Sequence, residues 1–202
     1  MTRRSDSRRP NCDPRALPNL SGQRYATRRG VSHPSVMKES MGDIVPLFRR
    51  SGSSRADTPS AAEWYERGCA IEARSRVAGR SASLGTAMRA YQRAVARDPS
   101  HAAALSNLGR LLHAAGDITA AEEHYRRAVK AAPEEPIYWF NLGVALQDRD
   151  KTLAAANAYR TALTLDPECR DAHFNLAGLL DRRGDRRGAL QHLAAYRRLA
   201  HG

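Results

Sequence analysis

The chain has 202 residues, 42% of them hydrophobic, and a formal net charge of +12, which is enough for one moderate domain with tails. No apolar run approaches the ~18 residues that a membrane-spanning helix needs, so no membrane partner and no secretory signal are expected. The three cysteines, Cys12, Cys69 and Cys169, form no CxxC pair for zinc or redox chemistry. Their sparseness is typical of a reducing compartment, and a cytoplasmic location is therefore expected.

The first 60 residues form a basic segment with 12 Lys and Arg against 5 Asp and Glu. Because residues 1–36 are rich in Arg, Ser and Pro and poor in apolar residues, they are predicted to be disordered. Met37 and Met41 are alternative starts, which favours the hypothesis that residues 1–36 or 1–40 are not translated. The apolar residues 44–48 are interpreted as a loose docking strand, and residues 51–60 as a linker.

A helix is predicted to begin at Ser60, because Glu63 three residues later completes a capping box. From residue 61 the chain repeats itself every 34 residues. A tyrosine, a proline and an Asn-Leu-Gly or Asn-Leu-Ala triplet each recur three times at this spacing, and chance does not align so many columns. The recurring residues are Tyr91, Tyr125 and Tyr159; Pro99, Pro133 and Pro167; and Asn107, Asn141 and Asn175.

This pattern resembles the tetratricopeptide repeat family, over about 70% of the chain. The resemblance implies an all-α fold of about eight helices, a right-handed superhelical solenoid of stacked helix-turn-helix hairpins. The units are 61–101, which is divergent and has an insertion in its turn; 102–135; 136–169; and 170–202, a degenerate capping unit. Stacked neighbours bury the apolar face that one unit alone would expose.

Small residues in the repeat are predicted to mark close helix crossings, where a larger side chain overpacks. At such a crossing, Gly143→Leu is expected to destabilise the fold. Gly116 and Gly184 are predicted to form the turns within their hairpins, and Asp150 takes that place in the unit 136–169. The last unit departs from the pattern, since His173 replaces a bulky apolar residue and Tyr196 stands where alanine recurs.

The resemblance places the first helix of each unit on a concave wall, where the three asparagines would form a row. A side-chain amide offers donors and an acceptor, which match a peptide backbone. The row resembles the asparagine ladder of O-linked N-acetylglucosamine transferases. In the alternative interpretation, the asparagines bond locally or face water, and the phenylalanines are buried between repeats. The candidate peptide-binding residues are Asn107, Asn141, Asn175, Arg110, Ile137, Phe140, Val144 and Phe174.

Other functions find little support in the sequence. The seven histidines are scattered, with only His113 and His124 as weak evidence for a metal site, so no cofactor or metal is expected. No nucleotide-binding or nucleophile motif is present, and Glu122 and Glu123 are interpreted as solvated helix surface, so no enzymatic activity is expected. Family members that clamp chaperone carboxylates carry a basic residue four places before the asparagine, which this chain lacks.

The sequence therefore predicts a protein–protein interaction adaptor that binds a peptide segment of a partner. The alternative is a regulator-associated protein that contacts nucleic acid through its Arg-rich arm or through a DNA-binding partner. Because 30 Arg against 3 Lys is also typical of GC-rich codons, the basic charge alone is weak support for that alternative. Self-association through the ends of the stack is a third interpretation.

Overall fold

The computed structural model describes residues 58–78 and 84–201. The predictions for the N-terminal arm, its alternative starts and the docking strand at residues 44–48 all lie outside this described part. The middle of the inserted turn in the first unit does too.

The described residues form eight helices and no strand, which confirms the predicted all-α fold. The first helix is five residues longer than the other first helices of the hairpins, so part of the insertion extends it. No helix of the described residues is both long and apolar enough to cross a membrane. The helices are α1 (Ala61–Ala78), α2 (Leu84–Arg97), α3 (Ala102–Ala114), α4 (Ile118–Ala131), α5 (Pro136–Asp148), α6 (Thr152–Leu165), α7 (Arg170–Arg182) and α8 (Arg186–His201).

Consecutive helices pair into four hairpins, and each hairpin packs on the next. The first helices of neighbouring hairpins also approach each other, since α3 contacts α5 directly. The stack therefore curves toward the first helices, here called the inner helices (α1, α3, α5 and α7). The second helices, here called the outer helices (α2, α4, α6 and α8), form the opposite face.

The helix ends are determined by local sequence. The predicted capping box is present: the Ser60 backbone N–H donates to Glu63 Oε2 at 2.7 Å, and the Glu63 N–H donates to Ser60 Oγ at 3.2 Å. Asp117 caps α4 through a 3.0 Å bond from the Ala120 N–H to its carboxylate. These bonds satisfy backbone donors that the first turn of a helix leaves without partners.

The turns inside three hairpins require a left-handed backbone. Gly116 has φ of +90° and Gly184 has φ of +83°. Asp150 has φ of 57° at the equivalent place in the third hairpin, the only described non-glycine residue with positive φ. Because aspartate tolerates this region better than most residues with a side chain, the turn keeps its shape at some cost in strain.

In the first three hairpins, a tyrosine ring packs against a glycine of the facing helix. A Cβ added to Gly109 would lie 2.9 Å from Cε1 of Tyr125, and one added to Gly143 would lie 2.6 Å from Cε1 of Tyr159. Both distances are shorter than carbon–carbon van der Waals contact, so only glycine leaves room for the ring. The tyrosines are fully buried.

Glu122 corrects one sequence interpretation, since it is not solvated helix surface but only 1% exposed. Its carboxylate accepts from Arg149 Nη1 at 2.6 Å and from Lys151 Nζ at 2.9 Å, and pairs with Arg126 of its own helix at 2.7 Å. Arg149 and Lys151 belong to the turn of the following hairpin, which covers the carboxylate. The position of Glu122 on its own helix could not reveal this burial, because the covering residue Arg149 lies 27 residues later in the chain.

The last hairpin keeps the fold despite its departures from the repeat pattern. Trp139 donates from its indole to the Pro133 carbonyl at 2.8 Å, and His173 bonds the Pro167 carbonyl through Nε2 at 3.1 Å. His173 thus reproduces the hydrogen bond of the bulky residue that it replaces. The other ring nitrogen of His173 contacts Nδ1 of His192 at 2.9 Å, which ties α7 to α8.

Candidate peptide-binding groove

The three repeated asparagines lie at equivalent places on α3, α5 and α7, the inner helices. The register of the repeat makes them a row along the inner wall. Their surroundings differ, because Asn107 and Asn175 are half-buried whereas Asn141 is 8% exposed.

Two of the asparagines are held by a tyrosine of the preceding hairpin. Asn107 Nδ2 donates to the hydroxyl of Tyr91 at 3.3 Å, and Asn175 Nδ2 donates to the hydroxyl of Tyr159 at the same distance. Burial raises the pKa of both tyrosines, so the hydroxyls stay protonated and accept through their oxygen lone pairs. The Asn175 amide uses one N–H in this way, whereas Asn107 Nδ2 also donates to Cys69 Sγ at 4.0 Å. An amide has two N–H donors and an acceptor oxygen. The tyrosine bond therefore holds the amide in place and leaves part of its hydrogen-bonding capacity for a ligand.

Asn141 differs from the other two. Its Nδ2 donates to the Ser106 hydroxyl of the preceding inner helix at 3.2 Å. For Asn175, the position that corresponds to Ser106 on the preceding inner helix is Phe140, and a phenyl ring offers no such acceptor. Ser106 therefore explains why Asn141 turns inward and is the most buried of the three.

Two polar side-chain pairs on the inner wall join helices of different hairpins. Arg110 of α3 forms an ion pair with Glu72 of α1, which is buried and was absent from the predicted site. His113 of α3 meets Asp148 of α5 at 2.7 Å through Nε2. These pairs connect the first three inner helices, so Arg110 is held in place by the protein itself.

The apolar candidates concentrate on α5 and α7. Ile137, Val144 and Phe140 are half-buried, and the Phe140 ring packs 5.8 Å from that of Tyr159. Phe174 is 41% exposed and lies 5.2 Å from the ring of Tyr196. Near it on α7, a Cβ added to Gly178 would meet nothing closer than an Arg182 nitrogen at 3.8 Å. The structure thus leaves a partly open aromatic surface at the C-terminal end of the wall.

Sequence reasoning missed the partners of the asparagines. The signal was present, since a tyrosine precedes both Asn107 and Asn175 by 16 residues. Glu72 carried no signal, because the insertion that follows it breaks the 34-residue spacing to the later units. Among the described residues, no group of three His, Cys, Asp or Glu side chains is placed to hold a metal ion.

The family model for the tetratricopeptide repeat matches residues 72–136, 114–156 and 140–202, which together cover more than half of the chain. The chain belongs to the tetratricopeptide repeat family. It is therefore a protein–protein interaction module, of a family whose members are generally non-enzymatic scaffolds. Among curated proteins, none matches the chain.

Solved structures of MamA are similar to this tetratricopeptide repeat chain in fold. One MamA crystal structure is 24% identical, with a TM-score of 0.56 over 62% of this chain and 72% of its own. A MamA fragment from Desulfovibrio magneticus RS-1 is 21% identical, with a TM-score of 0.59 over 69% and 75%. A MamA RS-1 double mutant is 21% identical, with a TM-score of 0.61 over 73% and 77%. Identities this low relate the folds alone.

Proposed function

We propose that the chain binds an extended peptide segment of a partner protein along its inner wall. Asn107 and Asn175 would bond the peptide backbone, and Phe174 would contact an apolar side chain of the peptide. The observation that carries the proposal is the pair of tyrosine bonds, because they hold the amides of the second and fourth hairpins in equivalent ways.

Preorganised polar groups favour binding because the protein does not lose their freedom again when the ligand arrives. An amide that is already held by a tyrosine meets this condition. The open side of Phe174 beside Gly178 supplies apolar surface, which adds affinity when it leaves water. The paired charges Arg110 and Glu72 add little net charge to the wall, so the peptide is expected to be near neutral.

A random-peptide library displayed on phage tests this proposal. The full-length chain is expected to enrich peptides with an aromatic or aliphatic residue. The double variant Asn107→Ala/Asn175→Ala should bind those peptides at least about tenfold more weakly, since two hydrogen bonds are worth roughly 1–3 kcal/mol together.

The matched control is Asn157→Ala, which removes an exposed asparagine from the outer helix α6. It should bind the selected peptides as the natural chain does. If no peptide is enriched, or if the double variant and Asn157→Ala bind equally, the groove proposal is wrong.

The alternative, nucleic-acid contact through the Arg-rich arm, rests on residues outside the described part of the chain. A gel-shift titration of the full chain against salt tests it, because phosphate contacts weaken steeply as salt rises. An unshifted probe at low salt would remove this alternative.

A further inference from the structure

The two faces of the solenoid differ sharply in charge. The four outer helices hold ten Arg and one Lys against two Glu, a net charge of +9. The four inner helices hold six Arg against six Asp and Glu, a net charge of zero. GC-rich codons would enrich Arg in both sets of helices, and they do not explain why acidic residues are scarce only on the outer face.

The outer face is also more positive than its counts suggest, because one of its two acids is covered. Glu122 is buried beneath Arg126, Arg149 and Lys151, so one negative charge is shared by three cations that remain partly exposed. Arg126 and Arg149 also line an open cleft of about 440 Å³ along α4, together with Arg127 and Lys130. The surplus of positive charge therefore faces solvent.

Apolar side chains accompany this charge. Five large hydrophobic side chains of the described residues are exposed, and four of them, all leucines, are on outer helices. Leu153 is 62% exposed and shares a face of α6 with Arg160, two turns later. Leu190 is 67% exposed and lies on α8, one turn after Arg186 and two turns before Arg197.

We propose that the outer face is a docking surface for an anionic lipid bilayer. Exposed leucines can enter the boundary between headgroups and acyl chains, while flanking arginines stay at the level of the headgroup phosphates. A nucleic-acid backbone would satisfy the arginines but leave the leucines without apolar contact. The lack of a spanning segment led to the expectation of no membrane partner, but a peripheral contact needs no such segment.

This surface is separate from the groove, so a bound peptide and a membrane would occupy opposite faces. Each cation near an anionic surface contributes about fivefold to the partition coefficient. A variant without three outer arginines, Arg160→Gln/Arg187→Gln/Arg198→Gln, should thus bind vesicles containing phosphatidylserine about a hundredfold more weakly. Leu153→Gln/Leu190→Gln should also reduce binding, with no change in net charge.

The matched control is Arg67→Gln/Arg74→Gln/Arg182→Gln, which removes the same charge from exposed positions on inner helices. All variants are made in the full chain, so the Arg-rich residues before the helices contribute equally to each. Equal melting temperatures would show that the variants fold alike.

Sedimentation with vesicles of phosphatidylcholine, with and without phosphatidylserine, gives the readout. The proposal predicts that binding requires phosphatidylserine and that the outer variant loses far more of it than the inner one. Equal loss in the two arginine variants, or no binding by the natural chain, overturns it. A duplex DNA probe is run in parallel. If the outer arginine variant loses DNA binding and the leucine variant binds both vesicles and DNA normally, the proposal is overturned in favour of nucleic acid.

Discussion

The side-chain amide of Asn175 is held by the hydroxyl of Tyr159, 3.3 Å away and one helix earlier in the chain. The ring of the same tyrosine packs against Gly143, so one side chain fills the hairpin core and also holds a residue of the groove. The stability of the hairpin and the geometry of the candidate site are therefore coupled through Tyr159.

Removing the Tyr159 hydroxyl tests this coupling. Tyr159→Phe is expected to lower the free energy of unfolding by about 1 kcal/mol and to weaken binding of the selected peptides, because Asn175 loses its acceptor. Tyr125→Phe is the matched control, since Asn141 donates to Ser106 instead. Urea unfolding and peptide titration of both variants measure the two effects. If the two variants bind the peptides with equal affinity, the bond from Asn175 to Tyr159 does not contribute to binding.

Gly143 is predicted to be essential for the close packing of α5 and α6. Gly143→Ala should cost about 1–3 kcal/mol of stability by overpacking against Tyr159, and Gly143→Leu should cost more. Gly178→Ala places the same methyl in open space on α7, where better helix propensity should raise stability by up to about 1 kcal/mol. Denaturant unfolding compares them, and similar changes in both variants would contradict the register.

The buried Glu122 should make stability depend on acid. Burial raises its pKa, but the bonds from Lys151 and Arg149 and the charge of Arg126 outweigh burial and hold the pKa below its ordinary value of 4.5. Because the folded pKa is the lower one, the stabilisation is complete above about pH 4.5 and is lost as the pH falls through the folded value.

Glu122→Gln should therefore lower the free energy of unfolding at neutral pH, on the order of 1–3 kcal/mol, and much less in acid. The exposed neighbour provides the control, since Glu123→Gln should change stability by less than about 0.5 kcal/mol. Unfolding curves across the acid range provide the measurement. A loss that does not vary with pH would show that the ionised carboxylate is not the stabilising group.

His192 should make the last hairpin sensitive to mild acid. Burial, the neighbouring His173 and the charge of Arg160 lower its pKa below 6.5. Protonation therefore favours the unfolded chain, and stability should fall as the pH drops below about 6.5. His192→Gln should flatten this dependence between about pH 8 and about pH 5, as measured by thermal unfolding. If the pH dependence of stability is the same in His192→Gln as in the natural chain, other groups cause the loss of stability in acid.

The sequence predicted the helices, the hairpins and the family, because a strict period places equal residues in equal surroundings. It also predicted a turn at Asp150, where the period aligns aspartate with two glycines, and the structure adds that this turn is left-handed. It did not predict the burial of Glu122 or the inward turn of Asn141. Both depend on one non-repeating neighbour, the Arg149–Lys151 turn in the first case and Ser106 in the second. A repeat describes what the units share, so differences between units are visible only in the folded chain.

The tyrosine–asparagine bonds cross from one hairpin to the next, so they join separate units as well as orienting amides. A ligand that bonds both of these asparagines would link separate hairpins to each other and restrict motion between them. Occupancy should then slow hydrogen exchange of backbone amides near the junctions between hairpins, while the outer helices, remote from the ligand, keep their own exchange rates.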